Sequence, residues 1–258
     1  MKTNKSLSVL CTMLIILLAS CNPTNLSNSD ESSYNSIEDS GENTQTENYA
    51  GLKFTLLDDG TAYSVKASST SYQTKFNIPS MYNDKPVTVI EDCAFHKINK
   101  KVTRLKEITL PNTITTIGSN AFEGSGLASI EIPNSVTSIG DFAFISSNYL
   151  ENIVIPDSVT SLGLGVFAGC DSLEKASIGS GITAIEDNMF WGCKSLKSIV
   201  FSKNVEYDGN YVFEECTSLE TIYFEGTIEQ FACIEFGIME DSGVLENVKI
   251  VCNYNRED

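Results

Sequence analysis

From residue 95 onward, large apolar side chains return to the same place about every 23 residues. Phe95, Phe122, Phe144, Phe167, Phe190 and Phe213 are spaced by 27, 22, 23, 23 and 23. A second register runs through Leu105, Leu127, Leu150, Leu173, Leu196 and Leu219, spaced by 22, 23, 23, 23 and 23. Aligned on both, the units read LKEITLPNTITTIGSNAF, LASIEIPNSVTSIGDFAF, LENIVIPDSVTSLGLGVF, LEKASIGSGITAIEDNMF and LKSIVFSKNVEYDGNYVF, followed by the incomplete LETIYFEGT. Within each unit, L-x-x-I-x-I alternates at its end with period two and predicts a short strand with one buried face. Pro111, Pro133 and Pro156 follow that strand, where a missing N–H does least harm. The V/I-T-x-I-G phrase predicts a second short extended piece, ending in a turn at Gly118 and Gly140. The Phe then points inward as a large filler.

One such unit cannot bury its own apolar face, whereas stacked units share a continuous core. The period is that of a leucine-rich coil. Roughly six coils at about 4.8 Å each predict a slab about 30 Å long.

The phrase I-P-x-x-V-T-x-I-G-x-x-A-F, almost intact at residues 132–144, resembles the BspA-type leucine-rich repeat family of bacterial surface antigens. Residues 51–61 look like that family's opening hairpin and residues 78–90 like its first coil. Residues 223–231 look like its closing segment and 248–252 like a last strand. The resemblance covers about residues 51–253. It implies an α/β-type repeat solenoid, mostly β: a right-handed stack of about six 23-residue coils with a β-hairpin N-terminal cap and a C-terminal cap. The predicted boundaries are 51–77 for the first cap, 78–222 for the repeats and 223–258 for the last cap. The pattern departs at Gly179, Ser202 and Glu225, which stand where earlier units have Pro. It departs again at Asp208, which replaces the inward Ile117, Ile139, Leu162 and Ile185. Looser packing, or a strand shift that moves Tyr207 into the gap, is expected there.

The start of the chain has a different pattern. Lys2 and Lys5 precede an apolar run from Leu7 to Leu18, then Leu18-Ala19-Ser20-Cys21. A basic start, a short apolar core and small residues make a secretory signal, and the run is short of the roughly 20 residues of a membrane span. The ending resembles a bacterial lipobox, which implies a signal over 1–20, cleavage before Cys21 and its acylation. The alternative is an ordinary signal with an incidental Cys. Residues 22–50 are rich in Ser, Asn, Thr and Glu, carry six acids and no base, and read as a disordered tether. The predicted location is the outer surface or the periplasm, with the membrane touched only through lipid.

The chain of 258 residues has a net charge of −17. Without the six tether acids and the two signal lysines, residues 51–258 still carry −13. Nucleic acid is excluded as a partner, because affinity for it comes largely from Lys and Arg neutralising phosphates. No nucleophile motif or phosphate loop is present, and no cofactor or metal is expected. The one histidine, His96, reads as a surface residue. Asp58-Asp59-Gly60 reads as a hairpin turn and lacks the ligand set of a calcium loop.

Of eight cysteines, Cys11 leaves with the signal. Cys170, Cys193 and Cys216 share one repeat position, and Cys93 takes the coil position of Phe142. Parallel side chains about 4.8 Å apart suit neither a disulfide nor tetrahedral zinc, so the three read as a ladder of buried fillers. Spacing leaves open whether Cys233 and Cys252 are bridged.

What remains is the outward face of the L-x-x-I-x-I strands. Its positions are Glu107, Thr109, Ser129, Glu131, Asn152, Val154, Lys175, Ser177, Ser198, Val200, Thr221 and Tyr223. The strip mixes small, polar and apolar groups, and its later half, with Val200 and Tyr223, reads as the more adhesive. The expectation is a non-enzymatic surface lipoprotein that binds an extracellular protein or glycan through this strip. The alternatives are a periplasmic scaffold without external ligand and a glycan-active enzyme using paired carboxylates.

Overall fold

Each repeat folds into one turn of a three-walled coil in the computed structural model, which describes residues 49–68, 71–96, 105–234 and 244–256. The signal segment, Cys11, Cys21 and the tether through residue 48 lie outside the described residues. The compact unit is Gly51–Asp258.

The chain enters through an antiparallel hairpin of β1 (Leu52–Leu56) and β2 (Tyr63–Ala67). The Asp59 carboxylate closes its turn by accepting from the Thr61 N–H at 2.9 Å and hydroxyl at 2.8 Å. The front wall is made of the L-x-x-I-x-I strands. Here β3 (Lys75–Asn77) pairs in parallel with β6 (Glu107–Thr109). Further on, β9 (Asn152–Ile155), β11 (Lys175–Ile178), β13 (Ser198–Phe201), β15 (Thr221–Phe224) and β16 (Lys249–Val251) form one parallel sheet.

The second wall continues from β2 through β5 (Lys85–Ile90), β7 (Thr116–Ile117), β8 (Ser138–Ile139) and β10 (Ser161–Leu162). The short β4 (Met81–Tyr82) pairs back on β5. A separate pair, β12 (Ala184–Ile185) and β14 (Tyr207–Asp208), ends this wall. The result is mostly β, almost without helix, with about seven turns of roughly 23 residues. The seventh arises because β3, placed in the N-terminal cap by sequence, pairs as a rung of the front wall.

The third wall carries the phenylalanines. Each Phe amide donates to the carbonyl of the residue before the next Phe: Phe95 to Ala121, Phe122 to Ala143, Phe144 to Val166, Phe167 to Met189 and Phe190 to Val212, at 2.7–3.1 Å. The chain aims these amides along the stack by entering left-handed backbone twice per turn. Two residues before the Phe, Cys93, Asn120, Phe142, Gly165, Asn188 and Tyr211 have φ of 53–60°. Two residues after it, Gly124, Ser146, Gly169, Gly192 and Glu215 have φ of 56–72°. Gly and Asn tolerate this region best among these, so the Gly and Asn beside Phe122, Phe167 and Phe190 are its sequence trace.

Inside, the rings form a column. Phe95, Phe122, Phe144, Phe167, Phe190 and Phe213 stack in succession with centroids 5.1–6.1 Å apart and planes within 19°. From Phe122 to Phe213 all are fully buried. Such offset stacks add to the burial term itself.

The turn after each front strand keeps one geometry whether or not Pro is present. Ile114 N–H donates to Pro111 C=O, Val136 to Pro133 and Val159 to Pro156 at 3.0–3.1 Å. Ile182 does so to Gly179 and Val205 to Ser202 at 3.3 Å. The departures therefore preserve the turn. At 179 a side chain has no room, because a Cβ there would stand 2.4 Å from the Pro156 carbonyl oxygen. Asp208 keeps its register opposite Ile185, with Tyr207 opposite Ala184. The strand slip offered as one outcome of the Asp208 substitution does not occur.

Helix α1 (Ile228–Ala232) opens on a capping box of Thr227 and Gln230, and β16 adds a last parallel strand beyond β15. The tail then turns back. Asn253 and Tyr254 donate to Gly226 and Phe224 carbonyls. The Arg256 guanidinium reaches Ile178 O at 2.6 Å and pairs with Glu225. Glu225, the third departure from Pro, is thus the carboxylate that anchors the tail.

Candidate binding face

Parallel pairing in register brings most of the predicted strip onto one surface. Asn152, Lys175, Ser198 and Thr221 stand opposite one another in one column. Val154, Ser177, Val200 and Tyr223 stand in the next. Glu107 and Thr109 lie on β6, where Glu107 pairs with Lys75. Ser129 and Glu131 are exposed but not on a strand. The turn before them, FEGSG, is one residue shorter than its counterparts. Among the described residues, Glu151 N–H to Ala128 C=O at 3.0 Å is the one backbone bond joining this rung to the next.

Exposure falls along the strip. Glu107 through Lys175 are exposed, while Ser177, Ser198, Val200, Thr221 and Tyr223 are half-buried. Tyr254 of the returning tail packs on Tyr223 with centroids 4.6 Å apart. The most exposed apolar group on the strip is therefore Val154, at 61%, and not Val200 or Tyr223. Sequence reading missed this because the tail has no repeat register to place it.

Beside Val154 the open rung leaves a shallow groove of about 430 Å³. It is lined by Ile130, Glu131, Asn134, Asn152, Val154, Asp157 and Arg256, with main chain of the intervening residues. The Ser180 N–H, 2.6 Å from Asp157 Oδ1, holds that carboxyl below its ordinary value, and Arg256 Nη1 at 3.8 Å adds to this.

The thiol ladder is a column of donors. Cys170 Sγ donates to Phe144 O at 3.2 Å, Cys193 to Phe167 O at 3.1 Å and Cys216 to Phe190 O at 3.1 Å. Ser147 makes the same bond to Phe122 O at 2.9 Å, and Ser125 stands 3.0 Å from Ser147. The column therefore starts two coils earlier than cysteine alone indicates, and its recurring element is a small donor. Burial pushes the Cys170 thiol up to about 12 and Cys193 well above its ordinary value. Such thiols are neither nucleophiles nor ready metal ligands. Cys233 and Cys252 are both free, one exposed and the other half-buried, which resolves their pairing against a bridge.

His96 is half-buried rather than a free surface group, with Nδ1 3.2 Å from Glu123 Oε2. Among the described residues no cluster of three or more His, Cys, Asp or Glu is arranged to hold a metal. No described helix is long and apolar enough to cross a membrane.

Residues 66–186 and 138–255 match the family model described as BspA type leucine rich repeat region, in six copies. Among solved structures, a leucine-rich repeat protein of T. pallidum is 25% identical, with a TM-score of 0.55 over 66% of this chain and 88% of that one. A leucine-rich repeat protein of Bacteroides ovatus is 23% identical, with a TM-score of 0.51 over 78% of this chain and 66% of that one. No curated protein matches.

Proposed function

Given that the chain belongs to the BspA-type leucine-rich repeat family, whose members are typically bacterial cell-surface proteins and generally not enzymes, we propose that it is a surface lipoprotein. It is anchored through Cys21 and binds an extracellular macromolecule with the front wall. The observation that supports this most is the front wall itself. Two columns of outward side chains stand in register on successive rungs, and the exposed half mixes polar groups with a bare Val154. Stacked repeats use such extended surfaces for binding.

The test is capture of extracellular proteins and glycans by the immobilised chain, repeated with Val154→Glu and with Val200→Glu. The expected result is loss of capture with Val154→Glu at unchanged melting temperature. Capture unaffected by either change would refute the assignment to this face. Protease shaving of whole cells tests the location: cleavage within residues 22–50 is expected for a surface protein, and an intact chain for a periplasmic one. A Cys21→Ala chain should lose membrane association.

A further inference from the structure

The groove at the open rung has the makings of a ligand subsite. Residues 129–132 exchange no backbone hydrogen bonds with β6 or β9 apart from the Ala128 contact noted above. Their main-chain groups border the groove without a partner strand on either side and are free to bond water or a ligand. The side chains of Ile132, Ile153 and Ile155 are buried, so at these positions the groove is lined by backbone. The volume, about 430 Å³, lies within the range of small-ligand sites.

The wall chemistry narrows the ligand. Glu131, Asn134, Asn152 and Asp157 each present two polar atoms side by side, a spacing that suits paired hydroxyls. Asp157 and Arg256 are answered within the site, and Glu131 makes no ion pair among the described residues. Arg256 is committed to Glu225 and Ile178 O, and Asp157 to the Ser180 N–H and Arg256. An anionic ligand would face Glu131 and Asp157, and a cationic one would have to share Asp157 with Arg256. Val154 gives an exposed aliphatic group for the C–H face of a ring.

We propose that this groove is a subsite for an uncharged oligosaccharide, held by Glu131, Asn134, Asn152 and Asp157 over Val154. The proposal rests on the front wall being the binding surface and names the part of it that takes the ligand.

The experiment is amide NMR of the full chain titrated with four neutral trisaccharides (mannotriose, cellotriose, maltotriose and triacetylchitotriose) and with a lysine-rich heptapeptide. At least one sugar should shift amides within 129–132 and 152–157, with dissociation constants in the millimolar range or tighter. Asn152→Ala and the conservative Glu131→Gln should each weaken it about fivefold or more without lowering the melting temperature. No sugar shifting these amides at about 20 mM, or the heptapeptide binding there while the sugars do not, would overturn the proposal. If partner capture survives Asn152→Ala and Glu131→Gln but is lost with Val200→Glu, the front wall stands as the binding surface and this subsite fails.

Discussion

Replacing Phe167 with Ala tests whether the ring column holds the coils together. Phe167 is fully buried. It stacks on Phe144 at 5.4 Å and on Phe190 at 5.6 Å, with planes within 18°. Truncating a buried Phe to Ala costs about 3–5 kcal/mol through lost burial and the cavity left behind. Each stack contributes about 0.5–1.5 kcal/mol beyond area, so the upper part of that range is expected. Against a total stability of about 5–15 kcal/mol, this is a large fraction. At about 2–4 °C per kcal/mol for a domain of this size, the melting temperature should fall by about 8–20 °C. Because each coil touches only its neighbours, the loss falls on one interface. The coils on either side should begin to unfold separately, seen as a lower urea m-value or two transitions. Phe167→Leu keeps most of the volume but removes both stacks and should cost about 1–3 kcal/mol. A double-mutant cycle with Phe144→Ala should show coupling of about 0.5–1.5 kcal/mol. A loss below about 1 kcal/mol for Phe167→Ala, or zero coupling in the cycle, would refute the view of the rings as one column.

Thiol chemistry should divide the cysteines. An aromatic disulfide reagent at neutral pH should label Cys233 quickly and Cys252 slowly, and should reach Cys170, Cys193 and Cys216 only on unfolding. Labelling of those three at native rates would contradict their burial. Cys193→Ser should be nearly neutral because Ser147 already fills an equivalent place, whereas Cys193→Ala should cost about 1 kcal/mol by leaving Phe167 O with the Cys170 N–H as its remaining donor; thermal melts compare them. At Glu91, burial raises the carboxyl, but hydrogen bonds from Lys66 and Ser64 outweigh it and hold the group below its ordinary value. Its stabilisation is therefore present above about pH 4.5 and lost as pH falls through the folded value. Glu91→Gln should flatten the melting temperature between about pH 5 and pH 3, and an unchanged slope would contradict this. Arg256→Ala should release the tail, giving faster amide exchange at residues 253–256 and greater exposure of Tyr223, with a cost of about 1–2 kcal/mol; unchanged exchange would show that Tyr254 holds the tail without it.

The repeat registers carried most of the fold because inward Ile, Leu and Phe obey a period that stacking imposes. The front strip was legible for the same reason: alternation on a strand assigns each side chain to a face. The third wall was not read, although its trace was present in Asn120, Gly124, Gly165, Gly169, Asn188 and Gly192. Those residues mark left-handed backbone, and a hydropathy pattern does not register φ. The tail was invisible for another reason. Arg256 meets Ile178, 78 positions earlier, and no periodicity links them. Residues 179 and 225 depart from the Pro of earlier units. One makes room for the preceding turn and the other supplies the tail's ion pair, so each departure answers a specific neighbour.

The two strand walls are interrupted at different levels. The front wall opens at residues 129–132, where β7, β8 and β10 keep the second wall continuous. The second wall opens between β10 and β12, where β9 and β11 keep the front wall continuous. The third wall runs unbroken past both gaps, from Phe95 to Val212. The joints are staggered as in bonded masonry. A molecule tethered at one end and gripped at its side would meet no plane of shear that crosses every ladder at once. Load applied to the gap near Val154 would pass into the neighbouring walls.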